Sequence, residues 1–215
     1  MGINKEAYLL IKAELESKDI ILVAVSKTKP AEDILMLYNL GQRDFGENYV
    51  QELVDKEAFL PKDIRWHFIG HLQTNKVKNI APFVQLIHGV DSLKLLKEIN
   101  KQGEKHNRVI DCLLQVHIAQ EETKFGLDED EINLLINQFA DEPMKNVRIM
   151  GLMGMASFTN EVMKVRNEFQ KLKALFDSHS KLKIHNPKLV TLSIGMSSDY
   201  IVAIEEGSNM VRIGS

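Results

Sequence analysis

The sequence predicts an α/β fold, a single (β/α)8 barrel of the TIM type with one extra helix at the N-terminus. Short runs of apolar and β-branched residues alternate about eight times with longer stretches of helical periodicity. No linker or low-complexity segment interrupts this alternation, so we expect a single domain over residues 1–215. A doubly wound open sheet is the alternative that the same alternation allows.

The first half of the chain supplies the extra helix and four strands, each followed by a helix. Tyr8, Ile11 and Leu15 have helical spacing and precede the first strand. The strands of this half are expected at 20–25, 43–46, 65–69 and 84–88. The helices that follow them are expected from Pro30 to Gly41, around Val50, Leu53 and Val54, over 74–80, and from Leu93 to a break at Gly103.

The second half repeats the same order of elements. Its strands are expected at 109–118, 147–155, 189–194 and 210–213. Asp128 and Glu131 have the spacing of a capping box, which predicts a helix start there. The longest helix is expected around 162–176, and a further helix over 198–206 is expected to stop at Gly207.

Composition is that of a soluble globular protein and argues against several classes of function. The chain has 215 residues, 44% of them hydrophobic, and a net charge of -3, which provides no basic field for nucleic acid. We find no secretory signal and no apolar stretch long enough to span a bilayer, so no membrane association is expected. Cys112, the only cysteine, is expected to be buried in a strand, and its isolation fits a reducing, cytoplasmic location.

Lys27 is the first candidate functional residue, because it lies where the first strand passes into the loop before Pro30. Alternation along the strand puts Val23, Val25 and Lys27 on one face. A lysine that continues an apolar face should be poorly hydrated, which favours the neutral amine that forms a Schiff base with an aldehyde. The alternative is a strand-end lysine whose amine extends into water.

The loops after strands seven and eight form the second candidate site. Barrel active sites form at the C-terminal ends of the strands, and these two loops commonly bind a phosphate. Gly195 and Gly214 allow close approach of backbone N–H groups, and the helix near Ser198 adds its N-terminal end. The hydroxyl donors available there are those of Ser193, Ser197 and Ser215. A lysine opposite an anion cradle fits a phosphorylated aldehyde.

Six segments of the chain resemble the pyridoxal phosphate homeostasis protein family, which is alanine-racemase-like and of fold type III among proteins that use pyridoxal 5'-phosphate (PLP). They are the segments 24–30 (AVSKTKP), 45–52 (FGENYVQE), 66–73 (WHFIGHLQ), 151–153 (GLM), 192–197 (LSIGMS) and 210–215 (MVRIGS). The matches run in order and cover nearly all the chain. Family members usually continue a short way past the last segment, where this sequence ends at Ser215.

The resemblance implies a site for PLP with Lys27 as its Schiff-base lysine. By the same match Arg212 would face the pyridine nitrogen, and Asn48 and Met153 would line the ring. His71 and Gln73 would lie at the mouth of the pocket. The residues implied around the phosphate are Ser193, Gly195, Met196, Ser197, Gly214 and Ser215.

The implied function is PLP binding in intracellular vitamin B6 homeostasis, without strong catalysis. A permanently charged guanidinium beside the ring nitrogen disfavours protonation of that nitrogen, and an unprotonated ring is a weaker electron sink. No catalytic residue is therefore assigned. PLP-dependent apo-enzymes are the expected partners, and the chain is expected to be a monomer, with a dimer as the alternative.

Two enzymatic alternatives remain open from the sequence. The first is a PLP-dependent racemase of small amino acids, although racemases of this fold type add a β domain that the length of this chain leaves no room for. The second is an aldolase-like enzyme that uses Lys27 without a cofactor.

Other polar residues carry weaker signals. His67 and His71 are the only close histidine pair and lack the spacing of a zinc site, so no metal is expected. His67 is expected to be a hydrogen-bonded core residue. Asp44 and Glu47 are expected to be solvated or to cap a turn.

Overall fold

The computed structural model describes residues 3–119, 125–142, 144–180 and 189–214. Its strands form a closed barrel in which each strand pairs in parallel with the next in sequence and β8 returns to β1. The predicted (β/α)8 barrel is therefore confirmed, and the open sheet is wrong. The strands are β1 (Ile21–Val25), β2 (Asp44–Glu47), β3 (Arg65–Phe68), β4 (Leu86–Val90), β5 (Ile110–Val116), β6 (Val147–Gly154), β7 (Thr191–Met196) and β8 (Met210–Ile213).

Helices follow the strands around the outside of the barrel. The extra N-terminal helix is present as α1, and the Asn4 side chain caps it by accepting a hydrogen bond from the Ala7 N–H at 3.0 Å. A short 3₁₀ turn, Thr74–Lys76, leads into α4. The helices are α1 (Lys5–Ser17), α2 (Ala31–Asn39), α3 (Val50–Phe59), α4 (Val77–Ile80), α5 (Leu93–Lys105), α6 (Glu129–Asp141), α7 (Val162–Ser180) and α8 (Tyr200–Glu205).

Alternation along the strands separates two layers of side chains. Outward-facing strand residues such as Phe45, Phe68 and Leu192 are fully buried and pack against the helices in the main hydrophobic core. Inward-facing residues form a small separate cluster of Val23, Leu86, Leu113, Met153 and Met210, which fills part of the barrel. The rest of the barrel interior is occupied by polar side chains.

Two strands start two residues later than the sequence predicts. β4 begins at Leu86 and β7 at Thr191, each two residues after the predicted start. Val84 and Leu189 made the earlier starts plausible because both are apolar. The structure buries both residues in the outer core as parts of the connections that precede the strands.

The prediction that a helix breaks at Gly103 is wrong, because α5 continues to Lys105. Gly103 is needed for close packing rather than for a break. A Cβ atom at this position would lie 2.5 Å from the backbone oxygen of Asn146 and 3.0 Å from that of Arg108. Gly41 and Gly207 do follow their helices as predicted, with φ angles of +90° and +93°.

The prediction for the single cysteine is tested by its burial. Cys112 is buried in β5 with its thiol free, as predicted. Among the helices of the described ranges, none combines the length and the apolar character that a membrane span requires.

Candidate functional site

Lys27 lies in the turn directly after β1, at the C-terminal end of the barrel, and it is exposed. The poor hydration predicted for this residue is therefore wrong, because the strand ends at Val25 and Lys27 stands beyond the packed part of its face. The register of β1 with β8 sets Val23 opposite Arg212. Lys27 follows Val23 by four residues, about 13 Å along a strand direction.

The backbone on both sides of Lys27 is fixed by side chains from β2 and α3. Ser26 donates its hydroxyl hydrogen to Glu47 Oε1 at 2.5 Å, and its carbonyl oxygen accepts from Lys56 Nζ at 2.6 Å. The Thr28 N–H donates to Glu52 Oε1 at 2.6 Å. Thr28 itself has a φ of 60°, an uncommon conformation for a residue with a Cβ atom. These contacts hold the turn while the Lys27 side chain stays exposed.

The Glu47 carboxylate beside this turn was not expected to be buried. Glu47 is fully buried, and Lys56 Nζ lies 2.7 Å from Glu47 Oε1 and 2.7 Å from Glu52 Oε1. Burial raises the pKa of Glu47, although the hydrogen bonds from Lys56 and Ser26 oppose that rise. The expectation of a solvated or capping Glu47 is wrong because its outward-facing strand position is covered by α3.

Arg212 lies inside the barrel and is 4% exposed. Its NH1 group donates to the Ser193 carbonyl oxygen at 2.8 Å and to Ser193 Oγ at 2.6 Å, and NH2 donates to the Gly154 oxygen at 3.0 Å. Burial lowers the pKa of Arg212 to about 10, and the negative charge of Asp199 opposes that change. The guanidinium is thus a fixed buried cation whose bonds to Ser193 and Gly154 end on uncharged oxygens.

From Arg212 and Ser193, a series of hydrogen bonds runs through two histidines to an aspartate at the N-terminal end of the barrel. Ser193 Oγ lies 3.3 Å from His88 Nδ1, and His88 Nε2 lies 3.0 Å from His67 Nδ1. His67 Nε2 lies 3.0 Å from Asp44 Oδ1. His67 is thereby the hydrogen-bonded core residue that the sequence predicted. Burial lowers the pKa of His88 well below its usual value, and the positive charge of Arg212, together with that of His67 whenever it is protonated, lowers it further.

Asp44 closes this series at the opposite end of the barrel from Lys27. Arg65 contacts its carboxylate with two hydrogen bonds, 2.8 Å from Nε to Oδ1 and 2.5 Å from NH2 to Oδ2. Burial would raise the pKa of Asp44, but the hydrogen bonds and charges of Arg65 and His67 prevail and lower it to about 2. The expectation of a solvated or capping Asp44 is wrong, because its side chain is 14% exposed and fully bonded to these two partners.

The structure brings most of the predicted phosphate-binding residues together where β7 and β8 end. Ser197 Oγ donates to the Gly214 oxygen at 2.6 Å and accepts from the Gly214 N–H at 3.1 Å, which joins the two loops. Gly195 has a φ of +98°, and a Cβ atom there would lie 2.7 Å from Ala203 Cβ. The Met196 N–H donates to Asp199 Oδ1 at 2.5 Å. Helix α8 begins only at Tyr200 and has six residues, so the cradle consists of loop groups.

Ser193 and Ser215 stand apart from that group. The Ser193 side chain is fully buried inside the barrel, where it bonds Arg212 and His88 rather than facing the loops. Ser215 lies outside the described residues.

The predicted ring-lining and rim residues lie on three other strand ends. Met153 is buried in the barrel interior, and Asn48 follows β2 directly and is half-buried. A Cβ atom at Gly70 would lie 2.4 Å from the Asn48 oxygen, and one at Gly89 would lie 2.8 Å from the Gly70 oxygen. The loops after β2 and β3 and the end of β4 therefore approach one another closely through their backbones.

His71 and Gln73 are both exposed, as residues at the mouth of a pocket would be. His71 Nδ1 lies 3.2 Å from Asp91 Oδ2, and its ring stacks on Phe125 with 4.2 Å between the ring centroids. In the described ranges, no group of three or more potential ligand side chains is arranged to hold a metal ion.

Sequence comparison assigns the family. The profile of the alanine racemase N-terminal domain family matches residues 7–215. The chain belongs to this family. Within it, the chain is 43% identical over 195 residues to the pyridoxal phosphate homeostasis protein of Aquifex aeolicus, with 90% of this chain and 84% of that protein covered. The resemblance to pyridoxal phosphate homeostasis proteins is therefore confirmed.

Solved structures agree with this membership of the alanine racemase N-terminal domain family. PipY of Synechococcus elongatus without PLP superposes with a TM-score of 0.87 at 32% identity, covering 94% of this chain and 95% of PipY. PipY with PLP bound gives a TM-score of 0.85. An alanine racemase from Bartonella henselae gives 0.65 at 15% identity and covers 94% of this chain but 55% of the racemase, so the likeness there is one of fold alone.

Proposed function

We propose that this chain binds PLP through Lys27 and serves intracellular vitamin B6 homeostasis, without strong catalysis of its own. The observation that carries the proposal is the pairing of β1 with β8, because the strand that leads into Lys27 lies next to the strand that contains the buried Arg212. The names of the relatives and the PLP complex of PipY support it. PLP-dependent apo-enzymes in the cytoplasm would receive the cofactor, and the chain would act as a monomer.

The residues at the C-terminal end of the barrel fit the parts of PLP. Lys27 would hold the cofactor through its exposed amine, which can form a Schiff base with an aldehyde by loss of water. Arg212 would hold the ring nitrogen, and Met153 and Asn48 would line the ring. The cradle for the phosphate is formed by Gly195, Met196, Ser197 and Gly214, with Ser215 as a further candidate.

Ser193 has a different role in this proposal from the one that the sequence suggested. Its hydroxyl and carbonyl oxygens both accept hydrogen bonds from Arg212, so Ser193 orients the guanidinium instead of contacting the phosphate. The buried cation keeps the ring nitrogen unprotonated, which limits carbanion stabilisation. Holding the cofactor is then the main task of this site.

The test compares wild type with Lys27→Ala after addition of PLP. Wild type should gain the visible absorbance of bound cofactor, and borohydride should fix one cofactor on the peptide containing Lys27, detected by mass spectrometry. Lys29→Ala is the matched control, since Lys29 occupies the same loop and should leave the labelling unchanged. Labelling at another lysine, or none in wild type, would reject the proposal.

A racemase-like enzyme is the second candidate, and His71 is the observation in its favour. His71 is exposed at the rim and paired with Asp91, so it could move a proton at a substrate bound above the cofactor. Purified protein with PLP would then interconvert D- and L-alanine in a sustained manner. A rate no higher than that of the Lys27→Ala protein would exclude this candidate.

A further inference from the structure

The barrel interior contains a series of five hydrogen-bonded side chains, and three of them, Asp44, His67 and His88, have no role in the proposed function. It runs from Asp44 through His67, His88 and Ser193 to Arg212, and each contact is 3.3 Å or shorter. We call these five residues the interior chain. It crosses the barrel from the end where the strands start to the guanidinium that faces the proposed cofactor ring.

The chemistry of the two ends fixes the direction of every hydrogen bond between them. A guanidinium only donates, so Ser193 Oγ accepts from Arg212. An ionised carboxylate only accepts, so His67 Nε2 must carry a hydrogen and donate it to Asp44. Asp44 is held ionised by the two hydrogen bonds from Arg65.

The two histidines then have only one neutral arrangement that satisfies all contacts. A neutral His67 with hydrogen on Nε2 has an acceptor at Nδ1, so His88 Nε2 must donate to it. His88 is buried completely and is held neutral, so its Nδ1 is an acceptor for the Ser193 hydroxyl. When both histidines are neutral, all hydrogen bonds of the interior chain therefore run from Arg212 towards Asp44.

We propose that Asp44, His67 and His88 are positioning residues for Arg212, and that this one-way chain holds the guanidinium on the ring nitrogen of the cofactor. The proposal rests on the proposed function for the identity of that cofactor. The interior chain links the buried Arg212 cation to the negative charge of Asp44 through neutral hydrogen-bonded side chains. Without it, Ser193 would lose the partner that sets its hydroxyl, and Arg212 would lose its fixed orientation.

One additional proton would reverse the lower part of the chain. The charged and titratable groups that face His67 are Asp44 from β2, Arg65 from β3 and His88 from β4, with Arg212 of β8 beyond Ser193. A proton on His67 Nδ1 makes this nitrogen a donor, so His88 must accept at Nε2 and carry its hydrogen on Nδ1. The Ser193 hydroxyl hydrogen then has to turn away from His88.

The protein contains a matched control for Asp44 at the same end of the barrel. Asp111 accepts two hydrogen bonds from Arg148 at 2.6 and 2.7 Å, the arrangement that Asp44 has with Arg65. Asp111 lies on β5 and Arg148 on β6, and neither is a member of the interior chain. Replacing Asp111 by asparagine therefore reproduces the loss of an ion pair without touching the histidines.

The first test needs no cofactor. Nitrogen-15 spectra of the imidazole side chains at pH 8 should show His67 and His88 both with hydrogen on Nε2, and the guanidinium signals of Arg212 should be those of a single fixed conformer. Asp44→Asn should change the His67 and Arg212 signals, and Asp111→Asn should not. Hydrogen on Nδ1 of His88 at this pH would overturn the proposal.

The second test measures the loaded protein. The ring-nitrogen shift of isotope-labelled PLP should move in Asp44→Asn and in His88→Leu, and PLP affinity should fall about threefold to tenfold, the value of roughly one net hydrogen bond. His88→Gln should stay near wild type, because an amide can donate to His67 and accept from Ser193. Asp111→Asn should match wild type.

The two tests separate the two proposals. If wild type takes up no PLP, the proposed function fails, and the imidazole and guanidinium signals of the unloaded protein still decide the direction of the chain. If Asp44→Asn and His88→Leu leave the ring-nitrogen shift and the affinity at the values of Asp111→Asn, the chain has a structural role only and the positioning proposal is wrong.

Discussion

Lys27 and Arg212 lie at the two ends of the proposed cofactor site, and the fold holds them in opposite ways. Lys27 is exposed in a turn whose neighbours, Ser26 and Thr28, are the parts that are fixed. Arg212 is 4% exposed and every hydrogen bond described for its guanidinium ends on Ser193 or Gly154. The proposed reacting group is thus exposed to solvent, whereas the proposed recognising group is held by three hydrogen bonds inside the barrel. Stability and covalent binding should therefore respond to different substitutions.

The largest expected effect is on the stability of the cofactor-free protein when Arg212 is removed. Arg212→Met leaves the Ser193 and Gly154 oxygens without their donor inside the barrel, which should lower the free energy of unfolding by about 3 kcal/mol. Lys27→Ala removes an exposed side chain and should change it by less than about 0.5 kcal/mol. Urea unfolding of both variants measures the difference. Equal losses would show that the two residues are not held differently.

The next largest effect is the acid dependence of the free energy of unfolding that comes from Asp44. Its pKa is lowered to about 2 from a model-peptide value of 3.8, so its contribution to stability is present above pH 3.8 and is lost as pH falls towards 2. That shift corresponds to about 2 kcal/mol. Asp44→Asn should lose this part of the acid dependence of unfolding. An acid dependence identical to that of wild type would contradict the ionised state on which the interior chain depends.

The smallest effect concerns the hydrogen bonds from β2 and α3 that fix the backbone on both sides of Lys27. Glu52→Ala removes the acceptor of the Thr28 N–H and should cost about 1 kcal/mol of stability. Amide hydrogen exchange in residues 26–29 should become faster. Glu57→Ala is the control, because Glu57 lies on the same helix and pairs only with Lys62 among its described partners. Faster exchange of similar size in both variants would mean that Glu52 does not hold this turn.

The sequence predicted the barrel well because strand alternation depends on local pattern. β8 was placed at its observed residues, and β4 and β7 were displaced by two because Val84 and Leu189 extend the apolar runs. Hydropathy cannot separate a strand residue from a buried connection residue. The predicted helix break at Gly103 was wrong for a similar reason. This glycine allows close contact with the backbone of Asn146, a residue distant in sequence that no local pattern identifies.

The interior chain could be found only in part from the sequence. A signal was present, because His67 and His88 are polar residues inside otherwise apolar strands, and such residues need buried partners. Their partners depend on which inward positions meet across the barrel. His88 and Ser193 are 105 residues apart, and no local pattern fixes that contact. The end of β1 at Val25 was predicted correctly, and the exposure of Lys27 was missed because the alternation of the strand was extended two residues beyond that end.

The contact between His88 and Ser193 also bears on how the ring of strands closes. A slip of β8 by one residue would turn Arg212 towards the helices and bring Val211 into the barrel. Ser193, His67 and His88 would then be buried without the hydrogen-bond donor Arg212. This lowers the free energy of unfolding, an effect that an entirely apolar interior would not have. The polar interior thus makes mispaired closures unfavourable, and it selects one alignment of the last strand during folding.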